Sequence, residues 1–493
     1  MNKAVVGAAA LAVVAGGGVG FAAWSGGKVA KELQAQTAAV LAPFPGVKVV
    51  ENSVSTGLFS STHTTTLELG CAPATEPGLQ PAADGAAPKP VQITWRDHVS
   101  HGPLPGGRGV GLAAIDTEIV YSPEVKEKLA KLFGDQAPLT ARTVLGFGGG
   151  YVSEVTSPAF KYAEAGKGDI DWQGLRATLS GQFTGGTPGA GTFAFEAPGF
   201  TMNFSSEDQG AGTVRVGRIS MDGSVNPQPG GSFLLAPSQG RGAIASLAVN
   251  AKPADGKPVD VLFENLAFVS ESRVDGGLWS ADSTLSMKGR VDDFPVDQVE
   301  MKVSMKRLHA ATYEQLIGRM MQSSFSCAKP GDEAAMQEAM ALQADLMKGV
   351  GTLLAHNPEY AVERLAVVVG GKTAEVAYRF GTRGVTEADA EMPMPVLMAS
   401  KGYADASFKV DNAWIEQVVK KVVSLKPAPE GTTPEEAVAA TMAMIASSVD
   451  GLAAQGLMAR EGDAIVSKAA FEAGTLKVNG QPMNLPLGQM LGR

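Results

Sequence analysis

The chain has 493 residues and a formal net charge of −9, with 44% apolar and 18% charged residues. Its 60 Gly and 29 Pro make up about 18% of the chain, which is above average usage but below the level typical of low-complexity disorder. The Gly residues have no three-residue period, which excludes collagen, and two Cys are too few for a disulfide-rich scaffold. No basic stripe is present, so no nucleic-acid partner is expected.

The N-terminus carries an apolar segment. Residues 4–24 contain no charged side chain and are long enough to cross a hydrocarbon core of about 30 Å as a helix. We expect an uncleaved signal-anchor in the inner membrane, with the bulk of the chain in the periplasm. A cleaved secretory signal and a core helix of a cytosolic protein are the alternatives. Gly16 and Gly20 form a GxxxG spacing that can bring two membrane helices together, which leaves a homodimer open.

The first 310 residues are dominated by strand patterns. β-Branched residues and period-two alternation predict extended chain over 47–69, with a turn at 55–57, and a strand over 91–96. Ser122, Pro123 and Glu124 are typical of a helix start, and Gly134 ends that helix. Between residues 140 and 310, short strands broken by turn residues predict an antiparallel meander. These strands are predicted over 175–179, 192–195, 213–219, 242–249, 261–268 and 299–305.

The last 183 residues mix helices with strands. Helical spacing is seen over 311–321 and 332–356, and Gly370-Gly371 predicts a hairpin between strands at 364–369 and 373–380. A strand is predicted over 398–410, and Asp411 is expected to cap a helix bearing Trp414. Thr433-Pro434-Glu435-Glu436 starts a long helix, and 474–480 is β-like.

These patterns predict an α+β fold: a large, predominantly antiparallel β-sheet body with helices concentrated in the C-terminal half, plus one N-terminal transmembrane helix. The expected divisions are a signal-anchor over 1–27, a β-rich periplasmic region over 28–310, and a mixed helix and strand periplasmic region over 311–493.

Several motifs resemble the YdgA-like family of bacterial membrane-anchored envelope proteins of unknown function. They are Ser55-Thr56-Gly57-Leu58-Phe59-Ser60-Ser61, His98-Val99-Ser100-His101-Gly102-Pro103-Leu104-Pro105, Ala406-Ser407-Phe408-Lys409-Val410 and Leu476-Lys477-Val478-Asn479-Gly480. The principal motif positions are Gly57, Phe59, Ser60, His98, His101, Gly102, Pro103 and Pro105. The resemblance implies an inner-membrane protein that faces the periplasm. It implies no catalytic residues.

The sequence offers little support for a metal site or a catalytic site. His98 and His101 are the one His cluster, and a metal site would need a third ligand such as Asp97 or His63. In an extended segment, however, positions three apart point to opposite faces, so a backbone bend stabilised by Gly and Pro is the preferred interpretation. The chain has no nucleophile elbow, P-loop or dinucleotide fingerprint. We therefore expect no catalytic, cofactor-binding or metal residues.

Two features of side-chain chemistry leave alternatives open. Cys71 and Cys327 are the only cysteines, and they form either a disulfide or two buried free thiols. Met336, Met340 and Met347 form a stripe that either lines a soft apolar groove or packs a helix on the sheet.

The expected function is that of a non-enzymatic structural or interaction protein, tethered to the membrane through residues 4–24 and contacting envelope proteins. The alternative is a lipid-handling envelope protein. In that case one face of a large curved sheet would form an apolar trough for acyl chains, by analogy with the AsmA-like proteins.

Overall fold

The computed structural model describes residues 37, 41, 47–57, 60–69, 90–101, 105, 110–184, 187–206, 210–228, 234–254, 256, 258–324, 333–386, 388–389, 392–425 and 432–483. It consists mostly of one large antiparallel sheet, with 57% strand and 24% helix. The predicted antiparallel β-sheet body is confirmed. The predicted N-terminal transmembrane helix lies outside the described residues, and so do Cys71 and Cys327.

The strands are β1 Lys48–Thr56, β2 Ser60–Glu68, β3 Gln92–His101, β4 Ala113–Val120, β5 Thr140–Leu145, β6 Gly150–Ser157, β7 Phe160–Glu164, β8 Gly168–Trp172, β9 Leu175–Thr184, β10 Thr187–Ala197, β11 Phe200–Ser206, β12 Gly210–Val216, β13 Ile219–Val225, β14 Ser238–Lys252, β15 Val259–Asp275, β16 Leu278–Val291, β17 Phe294–His309, β18 Glu359–Val369, β19 Lys372–Thr382, β20 Gly402–Asp411, β21 Ala459–Glu461, β22 Ala464–Glu472, β23 Thr475–Val478 and β24 Gln481–Met483. The helices are α1 Pro123–Phe133, α2 Ala310–Ser324, α3 Glu333–Ala355, α4 Met394–Lys401, α5 Asn412–Leu425 and α6 Pro434–Ala454.

The chain divides into two compact units. The first comprises 1–203, 218–240 and 310–349, and the second comprises 204–217, 241–309 and 350–493. In the first unit β1 to β6 form a meander in which each strand pairs with the next. The sheet then continues through β9, β10 and β13. Its buried side chains form two clusters, one around Val99 and Ile115 and one around Leu67 and Trp95.

The second unit is built on long strands. Strands β15 to β20 pair consecutively, and β22, β23 and β24 extend the same antiparallel order. Two turns of two residues, Gly370-Gly371 and Asn479-Gly480, have positive φ at both positions. That conformation matches the right-handed twist of a hairpin and favours Gly and Asn. Helices α5 and α6 contribute Trp414, Ile415, Ile445 and Val449 to a core with Val410 and Ile465.

Several sequence predictions need correction. Helices are not clearly concentrated in the C-terminal half, because α1 lies at 123–133 and strands β18 to β24 alternate with the later helices. The strand predicted from residue 398 begins at Gly402, since Met394–Lys401 forms α4, which starts after Pro393 and buries Leu397. The strand predicted over 213–219 is interrupted at 217–218, between β12 and β13.

One described helix, α6, is long and apolar enough to cross a membrane, judged by length and composition alone. It lies at 434–454 and is therefore not the predicted N-terminal anchor.

Candidate functional site

The long strands of the second unit separate apolar from charged side chains. In an antiparallel sheet, directly opposed residues lie on the same face. One row across six strands is therefore formed entirely by large apolar residues: Phe268, Leu285, Met301, Leu365, Val376 and Phe408. The next rows add, among others, Val303, Val362 and Tyr378, and then Met305, Tyr360 and Phe380. We call this surface the apolar face.

The opposite surface of the same strands is charged. Its side chains form ion pairs across neighbouring strands, such as Arg273 with Asp282 at 2.9 Å and Arg379 with Asp405 at 2.7 Å. Arg364 lies between two carboxylates, 3.1 Å from Glu300 and 3.2 Å from Glu375. A ladder of exposed ion pairs is typical of a solvated sheet face. We call this surface the charged face.

Helix α5 covers one end of the apolar face. Its Trp414 and Ile415 contact the core that contains Phe408. Further along the helix, Lys421 Nζ lies 2.7 Å from Asp293 and 3.3 Å from Asp292, in the turn between β16 and β17. The hydrogen bond and charge of Asp293, followed by those of Asp292, raise the pKa of Lys421. The helix therefore reaches from the end of β20 to the turn that joins β16 and β17.

Val362 on the apolar face is buried, but four other large side chains of this face remain in contact with solvent. The exposed fraction is 44% for Phe268, 37% for Leu365, 39% for Tyr378 and 46% for Phe380. The ring centroids of Tyr360 and Phe380 are 5.4 Å apart, so these side chains form an aromatic cluster. Contiguous exposed apolar surface of this kind marks a binding region more often than isolated apolar residues do.

A cleft of about 510 Å³ lies among the charged residues of strands β17 to β23. The side chains of Lys306, Glu359, Arg379 and Asp405 line it. The pKa of Glu359 is lowered, first by a hydrogen bond from the Tyr403 hydroxyl and then by Lys306. The Arg379 pKa is raised by Asp405. Glu359 and Arg379 therefore remain charged at neutral pH.

The first unit contains a buried polar cluster at the motif strands. His63 Nδ1 lies 3.0 Å from Asp97 Oδ2, and both side chains are almost completely buried. The Thr117 hydroxyl donates a 2.5 Å hydrogen bond to Asp97 Oδ1. On the other side of the ring, His63 Nε2 lies 2.7 Å from Asn52 Oδ1 and 3.1 Å from Thr65 Oγ1. Because every polar atom of this pair has a partner, the cluster stabilises the β1 to β4 sheet.

The two motif histidines lie on opposite faces of β3, as the alternation of an extended chain predicts. His98 is opposite Thr62, and its Nε2 lies 3.6 Å from Glu118. His101 Nε2 lies 2.6 Å from Ser61 Oγ, and burial lowers the His101 pKa. Within the described ranges, no group of three His, Cys, Asp or Glu residues could hold a metal ion.

Some of the other predicted positions form a turn, are buried or are exposed, and the rest lie outside the described residues. The Gly57 N–H donates to the Ser60 carbonyl at 2.7 Å, closing the turn between β1 and β2. Pro105 is buried. Phe59, Gly102 and Pro103 lie outside the described residues, as does the side chain of Met347. Met336 and Met340 are exposed, 55% and 61%, so these two methionines do not pack a helix on a sheet.

An apolar trough on the sheet was expected only by analogy, without named residues, and the cleft was not expected at all. One signal for the face is present in the alternation Val299-Glu300-Met301-Lys302-Val303-Ser304-Met305-Lys306, where apolar and polar residues have a strict period of two. Recognising a site required the pairing of this strand with its neighbours.

Comparison with known proteins places the chain in one family. No curated protein and no solved structure matches it. A family model described as "Bacterial protein of unknown function (DUF945)" matches residues 1–486. The chain therefore belongs to this bacterial family of unknown function, DUF945.

Proposed function

We propose that this protein is a membrane-anchored periplasmic binding protein without catalytic activity, and that its apolar face holds the acyl chains of phospholipids. The observation that carries the proposal is the unbroken row of large apolar side chains across β15 to β20, of which Phe268 and Leu365 remain exposed. This observation favours lipid handling over a purely structural role, because a sheet serving only as a scaffold has no need for an exposed apolar face.

The size and energetics of the face fit an acyl chain. Six strands spaced about 4.8 Å apart span about 24 Å, which exceeds the roughly 15 Å thickness of hydrocarbon in one membrane leaflet. Each methylene group removed from water contributes about 0.8 kcal/mol. An acyl chain lying across Phe268, Leu365 and Phe380 would therefore be held by many small apolar contacts, with no need for a charged residue on that face.

A catalytic role is disfavoured by the burial of a pair, within the described residues, that resembles a nucleophile and its base. Ser61 and His101 are within hydrogen-bonding distance, but Ser61 is only 3% exposed. It lies in a row of buried side chains on the sheet of the first unit, next to Val99. A substrate carbonyl could not approach its hydroxyl without disrupting that core.

The lipid proposal is tested by native mass spectrometry of the full-length protein released from detergent micelles. The double variant L365D/F380D places two charges on the apolar face, and V269D places a charge on the charged face, where Val269 is 55% exposed. We expect the wild type and V269D to retain phospholipid and L365D/F380D to lose it. All three proteins share the same N-terminus, so any lipid bound there contributes equally to each and does not affect the comparison of retained phospholipid. Equal retention by all three, or none by the wild type, would refute the proposal.

The proposed location rests on the uncharged segment 4–24 and is tested separately. Alkaline phosphatase fused after Arg493 is expected to be active, because the segment would export everything that follows it. A β-galactosidase fusion at the same position serves as the matched control and is expected to be inactive. The reverse pattern of activities would remove the periplasmic assignment.

A further inference from the structure

The charged side chains that line the cleft of the second unit lie on the side of the sheet opposite the apolar face. Strand pairing places Lys306 opposite Glu359, Arg379 opposite Asp405, Ser407 opposite Lys468, and Ala470 opposite Lys477. Small residues, among them Ala361, Ala377 and Ala470, also line the cleft. Short side chains on these central strands leave the space of about 510 Å³ open between longer charged ones.

The cations of this cleft are not all neutralised. Lys306 lies 3.3 Å from Glu359 and 3.6 Å from Glu363, and Arg379 is paired with Asp405. Lys468 and Lys477 also line the cleft, and in the described part of the chain neither ammonium group has a salt bridge. With four cations and three carboxylates, the cleft has an excess of positive charge in a protein whose net charge is −9.

The backbone around the two lysines is held in place by the Asn479-Gly480 turn. The Asn479 N–H donates to the Lys468 carbonyl at 2.7 Å, and Asn479 Oδ1 accepts from the Lys468 N–H at 2.9 Å. The Asn479 side-chain amide also donates to the Gly456 carbonyl at 3.0 Å. These bonds fix β23 beside β22, so Lys468 and Lys477 are diagonal neighbours on one face.

Two sequence motifs meet at this position. Ala406 and Ser407, from the motif 406–410, lie on β20 on one side of β22, and Lys477 and Gly480, from the motif 476–480, lie on its other side. The remaining motif residues Phe408 and Val410 contribute to the core with α5 and α6. The motifs therefore build both the core of this region and the lining of the cleft.

We propose that this cleft binds a phosphate group through Lys468 and Lys477. Two lysines that are diagonal neighbours on one face and have no carboxylate partner match the double negative charge of a phosphate monoester, and lysine binds phosphate as a point charge. The Ser407 hydroxyl, directly opposite Lys468, supplies a further hydrogen-bond donor. Because Lys468 and Lys477 lie on the side of the sheet opposite the apolar face, a phosphate held by them would not occupy the surface proposed for acyl chains.

The test is isothermal titration of the full-length protein in an uncharged detergent, with inorganic phosphate as the probe. K468Q/K477Q removes both ammonium groups, and K288Q/K409Q removes two exposed lysines of the same unit that do not line the cleft. Charged hydrogen bonds of about 1.5–3 kcal/mol correspond to a loss of affinity of tenfold or more in the cleft variant. The control variant is expected to bind within twofold of the wild type.

A second titration distinguishes the source of the phosphate. Dihexanoyl phosphatidic acid is expected to bind more tightly than inorganic phosphate if the natural ligand is a lipid headgroup, and equally if it is a free phosphate monoester; both results support the site. Equal affinities of K468Q/K477Q and K288Q/K409Q would overturn it, as would absence of phosphate binding by the wild type. Thermal melting of both variants checks that each is folded, since Lys→Gln changes at exposed positions are expected to leave the melting temperature nearly unchanged.

Discussion

Removal of the Asp97 carboxylate is expected to destabilise the first unit strongly. In Asp97→Ala, His63 Nδ1 and the Thr117 hydroxyl lose their partner inside a sheet where both His63 and Asp97 are buried. Removing one member of a buried hydrogen-bonded pair costs about 3–5 kcal/mol. For a unit of this size, each kcal/mol lowers the melting temperature by about 2–4 °C, so a decrease of roughly 6–20 °C is expected.

The assay is thermal unfolding of the full-length protein followed by circular dichroism, with Glu118→Ala as the matched control. Glu118 is on the adjacent strand but has a 52% exposed side chain, and its ion pair with Arg96 at 3.0 Å should contribute less than about 1 kcal/mol. Asp97→Asn keeps the shape of the side chain and one acceptor oxygen, so its decrease in melting temperature should lie between those of the other two variants. If Asp97→Ala melts at the same temperature as Glu118→Ala, the buried cluster does not stabilise the sheet as argued.

Two further predictions concern the motif histidine and the cysteines. Burial lowers the folded-state pKa of His101 below 6.5, so as pH falls below about 6.5 the unfolded chain binds the proton first and stability decreases. His101→Gln should flatten this decrease when unfolding free energies are compared between pH 7.5 and 5; an unchanged slope would contradict the assignment. Cys71 and Cys327, if bridged, close a loop that could contribute up to about 5 kcal/mol. Non-reducing peptide mass spectrometry should find the linked peptides, and a free thiol at either position would exclude the bridge.

Local signals in the sequence were sufficient for many elements. The predicted start of α6 is confirmed, and Thr433 and Glu436 form a capping box there: the Thr433 hydroxyl accepts from the Glu436 N–H, and the Glu436 carboxylate accepts from the Thr433 N–H. The hairpin at Gly370-Gly371 was predicted because two consecutive Gly residues permit the positive φ values of a tight turn. Such features depend on neighbouring residues only, so no tertiary contact can override them easily.

Features that depend on distant contacts were missed or wrong. The strand predicted from residue 398 failed over 398–401 because α4 buries Leu397, a tertiary contact that local propensity does not record. Asp411 precedes α5 as predicted, but its carboxylate accepts from the Thr373 N–H of β19. The apolar face was hidden by irregularities such as the one between Val362 and Leu365, which breaks the period-two pattern within β18.

The cleft is a proposed binding site that local sequence could not predict, because it also depends on distant contacts. Lys306, Arg379 and Lys468 are separated by more than 70 residues at each step, and nothing in their local sequence relates them. They meet because β17 to β22 pair in a defined register. Only that register shows which lysines have carboxylate partners and which do not.

The central claim, that acyl chains lie on one face of the second unit, is tested most directly by photo-crosslinking at two adjacent residues. Phe268 is on the apolar face, opposite Leu285, and Val269 is on the charged face, opposite Thr284. Benzoylphenylalanine is introduced at one position or the other in the full-length protein. The two positions are adjacent in sequence but lie on opposite faces of the sheet. Irradiation in cells should give a phospholipid adduct at position 268 and none at position 269. Adducts at both positions in equal yield, or at neither, would contradict the account.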